Sequence, residues 1–181
     1  MHPIFEAAET PIHLAQISHS NMEDYFLHSL AEYPDNDIRT IHSPRVKEVQ
    51  AFFDHMGTAY SFPFYFGNNW HALHDCLRDE LDRQPKPHLL IFTRASHLME
   101  NENNQVTDCL FQVINSLNPS ATKSCDPRQQ VDTPAFHIML ADYESDFQQL
   151  KCRFQNVPGS RIITWNGQEF VPEDQSGGSA R

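Results

Sequence analysis

Between residues 71 and 79, five side chains have types and spacing that can do chemistry. In the run WHALHDCLRDEL, His71, Asp75 and Asp79 recur at every fourth position, with His74 and Arg78 bordering them. On a helix, such spacing stacks the five along one polar flank. Three chemistries suit that flank. Two imidazoles three residues apart, with a carboxylate beside them, can hold a divalent metal. The same groups can exchange a proton with a substrate. Carboxylates on a rigid helix can also meet cationic groups on another protein, which needs no reaction at all. The metal reading is thin, because HxxHD is short and neither an HExxH pattern nor a cysteine pair accompanies it. His42, His55, His88, His97 and His137 are scattered and read as surface or satisfied core positions.

A polar flank is useful only if the other flank is anchored. Trp70, Leu73, Leu77 and Leu81, with Cys76 beside them, fall three and four residues apart and predict a helix over 69–83 that buries one stripe. Gly67 permits the turn before it, and Asn68 or Asn69 can cap its first free amides, a contribution of about 0.5–2 kcal/mol. The preceding loop carries Tyr60, Phe62, Phe64, Tyr65 and Phe66. Five aromatics cannot share one side of so short a loop, so some anchor inward and at least one faces outward.

Around this segment the chain alternates strand and helix. A short extended stretch at 12–17 and a helix at 22–33 precede a strand at 38–41. Next come a helix at 45–56, entered through Ser43-Pro44 and ended by Gly57, and the helix at 69–83. The apolar run at 88–93 reads as a buried parallel strand. A helix at 104–117 buries Val106, Leu110, Val113, Ile114 and Leu117, and a strand follows at 136–141. The intervening 118–134 is a long proline-containing loop. A helix at 145–154 leads to a β-hairpin, 161–165 and 168–171, around Asn166-Gly167. The tail from 172 on reads as flexible. The pattern predicts one α/β domain, a small parallel sheet packed by helices in two or three layers. Its core spans 37–145, with an N-terminal helical addition (1–36), a C-terminal helix and hairpin (146–172) and the tail (173–181).

Composition narrows the function classes. The 24 acidic residues outnumber the 13 basic ones, for a formal net charge of -11 without a local basic patch. This argues against nucleic acid or an anionic membrane as partner and favours a basic protein, chiefly through electrostatically steered encounter. No run of about 20 apolar residues and no basic, apolar leader is present, so a cytoplasmic location is expected. Cys76, Cys109, Cys125 and Cys152 are widely spaced and read as free thiols rather than a disulfide framework or zinc site. No cofactor is implied.

The stretch FPFYFGNNWHALHDCL resembles the central motif of the barstar family, intracellular inhibitors of ribonucleases. The matching residues are Pro63, Tyr65, Phe66, Gly67 and Asn69, then the helix from Trp70 to Leu77. Beyond these, the resemblance is topological, over roughly 40–145. It implies a barstar-like fold and a non-catalytic protein that binds a toxin one to one. In the family, the loop aromatic, the asparagine and two helix aspartates plug the nuclease's cationic groove in place of RNA phosphate. Carried over, Tyr65, Asn69 and Asp75 keep that chemistry. His71 stands in place of the first aspartate and His74 in place of an aromatic, and Asp79 and Arg78 extend the face by one turn. The resemblance leaves two alternatives open: a barstar-like immunity or adaptor protein that binds a non-ribonuclease toxin through its terminal additions, and a metal-dependent enzyme using His71 and His74.

His71 alters the expected electrostatics. A protonated imidazole repels a cationic cleft, so with His71 in the interface, binding weakens below about pH 6.5. Facing an acidic toxin residue, it gives the opposite trend. Affinities of wild type and His71→Asn between about pH 5.5 and 8 check this, and equal pH dependence in both removes His71 from the explanation.

Overall fold

The structure, a computed structural model, describes residues 11–18, 33–118, 136–158, 160–165 and 170–172. Six strands form one sheet: β1 (Ile12–Gln16), β2 (Asp37–His42), β3 (His88–Thr93), β4 (Phe136–Asp142), β5 (Ser160–Trp165) and β6 (Phe170–Pro172). Their order is β2-β3-β4-β1-β5-β6. The first five are parallel, and β6 lies antiparallel on β5. The three strands expected at 38–41, 88–93 and 136–141 are therefore neighbours. The short stretch at 12–17 is more than an addition packed outside them, because β1 lies between β4 and β5 and every residue from Ile12 to Ala15 is buried.

Residue alternation across the sheet creates two apolar faces. Ile12 and Leu14 of β1, Leu90 and Phe92 of β3, and Ile138 and Leu140 of β4 point to one face and merge with the helices into a single core. Ala15, Leu89, Ile91, Met139, Ala141 and Ile163 form a second buried cluster on the other face. Burial on both faces explains why β3 and β4 read as continuous apolar runs rather than alternating ones.

The described helices are α1 (Val49–Tyr60), α2 (Trp70–Arg83), α3 (Asn104–Leu117) and α4 (Glu144–Phe154), all packed on the first face. The α2, α3 and α4 segments lie where periodicity places them. For α1 the expected bounds of 45–56 need correction at both ends. Residues Ser43–Arg45 form a 3-10 turn, and α1 begins at Val49, whose amide donates to the Glu102 carboxylate at 3.0 Å. Gly57 lies inside the helix, which ends at Tyr60 with Ser61 in the left-handed region at φ 52. Running through Gly57 costs about 1 kcal/mol, and the extra turn carries the Tyr60 ring into the core against His88 and Phe136.

β5 and β6 pair as the hairpin predicted near Asn166-Gly167, with Trp165 opposite Phe170. The turn between them, the helix expected at 22–33, the 118–134 loop after Asn118 and the tail lie outside the described residues. Phe147, Leu150 and Phe154 of α4 belong to the same core as α1–α3. Arg153 ties α4 to the loop after β3 by donating to the carbonyls of Ser96 and Met99. Among the described residues, no helix is long and apolar enough to cross a membrane.

Candidate functional site

The loop between α1 and α2 is built around a tight turn in which the Phe66 amide donates to the Pro63 carbonyl at 2.9 Å. The turn places Phe64 and Tyr65 at its corners and brings Phe62 and Phe66 together beneath it, with ring centroids 4.9 Å apart. Phe62 stacks on Tyr60, Phe66 meets Phe53 edge-on, and Phe53 in turn packs on Trp70 at 4.9 Å. This aromatic chain fixes the turn to the start of α2. Phe64 is fully exposed and Tyr65 is 72% exposed, so the aromatics divide into anchors and an outward tip. Phe64 was absent from the sequence-predicted face. Its signal was its place beside Tyr65 between Pro63 and Gly67, at a turn corner.

Of the two asparagines, Asn69 is the cap. Its Oδ1 accepts from the Ala72 amide at 3.0 Å and its Nδ2 donates to the Gly67 carbonyl at 3.0 Å. Asn68, at φ 47, donates instead to Asp54 Oδ1 at 2.9 Å. Asn69 is exposed, but both ends of its amide serve the helix start. Asn69→Ala is expected to lower unfolding stability by about 1 kcal/mol, read as a shift in the urea midpoint at unchanged slope. A Cβ on Gly67 would stand 2.9 Å from Asn69 Nδ2, so Gly67→Ala disturbs the same cap.

Along α2, Leu73, Leu77 and Leu81 are fully buried, while His71, Asp75 and Asp79 are exposed. Asp75 stands on the crest with 79% of its side chain exposed, and its Oδ1 accepts from His74 Nδ1 at 3.1 Å. His71 and His74 lean toward α3, where they border a cleft of about 430 Å³ floored by Trp70, Cys109 and Val113. Arg78, on the same side, donates to the Ser116 carbonyl at 3.4 Å. Tyr65 and Asp79 border a second cleft, of about 350 Å³, on the opposite side of the helix. The seven expected residues thus form a convex ridge with flanks rather than one pocket. Among the described residues, no three of His, Cys, Asp and Glu gather to hold a metal. Burial, and then the charges of Asp79 and Asp75, push the Cys76 thiol up, so it is no ready nucleophile.

Beneath the C-terminal half of α2 lies a network that the helix pattern alone did not expose. Glu80 is only 5% exposed because it continues the stripe of Leu73 and Leu77. Its carboxylate accepts from Arg83, from Gln84 at 2.6 Å and from Arg39 of β2 at 3.3 Å. Arg39 also grips Asp37 through Nε and Nη2, at 3.0 and 2.7 Å, and donates to the Ala59 carbonyl. Its guanidinium lies 4.1 Å from the Tyr60 ring centroid. Burial by itself would raise the Asp37 carboxyl. The contacts with His88, 3.2 Å away, and with Arg39 outweigh it and hold the group well below the usual carboxylate range. Buried carboxylates are tolerated when paired in this way. The network locks α2 to β2 and so fixes the angle of the exposed ridge. His88 and His137 are both buried, His137 Nδ1 lying 2.9 Å from His13 Nε2.

Comparison with known proteins bears on both the fold and the ridge. No curated protein matches the chain. Among solved structures, a chain in "Structure of Drosophila ORC bound to AT-rich DNA and Cdc6" is similar, with a TM-score of 0.52 and 13% identity. The match covers 95% of this chain and 52% of that one. The chain therefore spans about half the length of the chain it matches, and the likeness is one of fold alone. The family model described as Barstar (barnase inhibitor) matches residues 36–149, more than half of the chain, and takes in β2 to β4, α1 to α3, the aromatic turn and the whole exposed ridge. On that match, the chain belongs to the barstar family.

Proposed function

We propose that this chain is a non-catalytic cytoplasmic immunity protein that binds a cognate toxin, a basic ribonuclease, one to one. In this reading it occludes the enzyme's positively charged active site with the polar side of α2 and the aromatic turn before it. The observation that carries the reading is the joint exposure of Tyr65 and Asp75 on a ridge whose underside is locked into the core. A ribonuclease must hold cationic groups against the RNA backbone, and Asp75 and Asp79 offer those groups carboxylates instead. Because α2 is held by Leu73, Leu77 and the Glu80 network, little backbone freedom is lost on binding. Tyr65 supplies a semi-rigid aromatic contact, while His71, His74 and Arg78 tune the flank that faces α3. The complex is expected to bury about 1,200–2,000 Å² in total.

A second reading has support from the sheet edge. β5 and β6 lie outside the family match, and among the described residues β6 is the end strand of the sheet, a position at which another chain can pair. In that reading the partner is a toxin other than a ribonuclease, held through these elements. Affinity capture with this chain as bait, the neighbouring gene product co-expressed, identifies the partner. An RNA-cleavage titration with the purified partner then decides. A basic ribonuclease silenced at one equivalent is the expected result. A partner without nuclease activity, or one still active at saturation, contradicts the first reading.

A further inference from the structure

We infer that the chain between β1 and β2 crosses back over the second face of the sheet, and that Met22, Tyr25, Phe26 and Leu30 cover β3 and β4 there. The inference goes beyond the inhibitor reading and does not rest on it. It makes the stretch before β2 a layer of the fold rather than an arm held out to the partner.

The second face is sealed by something other than the four described helices. Ile17, Leu89, Ile91, Met139 and Ala141 are fully buried on it, whereas α1 to α4 all pack on the first face. His13 and His137, whose ring nitrogens lie 2.9 Å apart, alternate with first-face residues of β1 and β4 and are buried on the same side. The chain alone produces this burial, so the cover is a part of it and not a second copy.

Topology selects the segment. The steps from β2 to β3 and from β3 to β4 run in one direction across the sheet, with their helices on the first face. The step from β1 to β2 runs in the opposite direction, past β4 and β3. Crossovers between parallel strands are right-handed in nearly all proteins, so reversing the direction puts this connection on the second face. Residues 17–36 make the connection, and 19–32 of them lie outside the described residues. A helix over 22–33, the one predicted from sequence, is about 18 Å long, close to the roughly 17–20 Å of a typical strand. The links on either side, 17–21 and 34–36, supply the sideways step of about 14 Å across three strand spacings. Met22, Tyr25, Phe26 and Leu30 fall on one stripe of such a helix, with Asp24 and His28 opposite. By contrast, 119–135 carries Val131 as its one large aliphatic side chain, and 173–181 carries none.

The test uses the full chain. In NMR, nuclear Overhauser contacts between the methyl groups of Leu89, Ile91 and Met139 and the ring protons of Tyr25 and Phe26 are the expected result. Leu30→Ala is expected to lower the melting temperature by about 5–15 °C, and Asp24→Ala to leave it within about 2 °C of wild type. Should Leu30→Ala fail to fold, Leu30→Met reports a smaller shift of the same sign. Both substitutions are expected to keep the Kd for the captured partner within about twofold of wild type, because the α2 ridge lies on the other side of the sheet. Methyl contacts to residues 1–10 or 119–135 in place of 22–33, or a melting temperature unmoved by Leu30→Ala, overturn the inference and leave the inhibitor reading standing. Partner binding lost in Phe26→Ala at an unchanged melting temperature assigns the stretch to the interface, and overturns it as well.

Discussion

Replacing Asp75 with alanine is expected to weaken toxin binding by at least about 2 kcal/mol, roughly thirtyfold in Kd, while leaving folding stability within about 0.5 kcal/mol of wild type. The separation of the two effects follows from where the side chain sits. Asp75 crowns the exposed crest of α2, and its hydrogen bond from His74 is a surface contact between adjacent residues. Removing it from the free protein changes little. In the proposed complex the same carboxylate faces a desolvated cationic cluster, and truncation leaves the partner's charges without their counter-ion. Calorimetric titration gives the binding term and urea unfolding the stability term. Little change in binding, with substitutions on β5 and β6 abolishing it, would move the interface to the sheet edge.

Arg39→Met is expected to destabilise the fold by about 3 kcal/mol, because it leaves the half-buried Asp37 and the buried Glu80 without their shared cation. Arg83 and His88 remain near the two carboxylates, which holds the loss to the lower end of the range for broken buried pairs. The sign of the pH dependence follows from Asp37. Its folded-state pKa lies below the ordinary value of about 3.9, so its contribution is complete above that pH and is lost as pH falls through the folded value. Removing Arg39 lessens the depression. Wild type and Arg39→Met should therefore differ most near neutral pH and converge in acid, as read from urea midpoints between about pH 2 and 7. A gap that stays constant to the acid end would mean that Asp37 draws little from Arg39.

What could be read from residues alone tracks the range of the forces involved. The α3 segment and β3 were legible because their apolar periods are long and their ends carry local signals, such as the Asn103 cap that accepts from the Val106 amide. The bounds of α1 were not, because its first amide is satisfied by Glu102, 53 residues away, and its last turn is held by the burial of Tyr60. The central place of β1 was hidden in a five-residue strand whose partners, β4 and β5, come more than a hundred residues later. On the ridge, helical spacing sufficed to set Asp75 and Asp79 outward. The direction of Tyr65 hung on one hydrogen bond inside the turn, and the choice between Asn68 and Asn69 as cap hung on Asp54 claiming the former. Glu80 shows how a carboxylate on an apolar stripe signals a buried partner without naming it. Only the fold brings Arg39 beneath it.

Competition at the nuclease is the most direct measurement of the central claim. The purified ribonuclease partner, bound to a fluorescent non-cleavable oligonucleotide, is titrated with this chain, and both anisotropy and complex size are followed. Complete displacement of the oligonucleotide at one equivalent, shifted by Asp75→Ala to a concentration roughly thirtyfold or more higher, is the expected result. A ternary complex in which nucleic acid stays bound while this chain is attached would contradict the claim that the α2 ridge fills the catalytic groove.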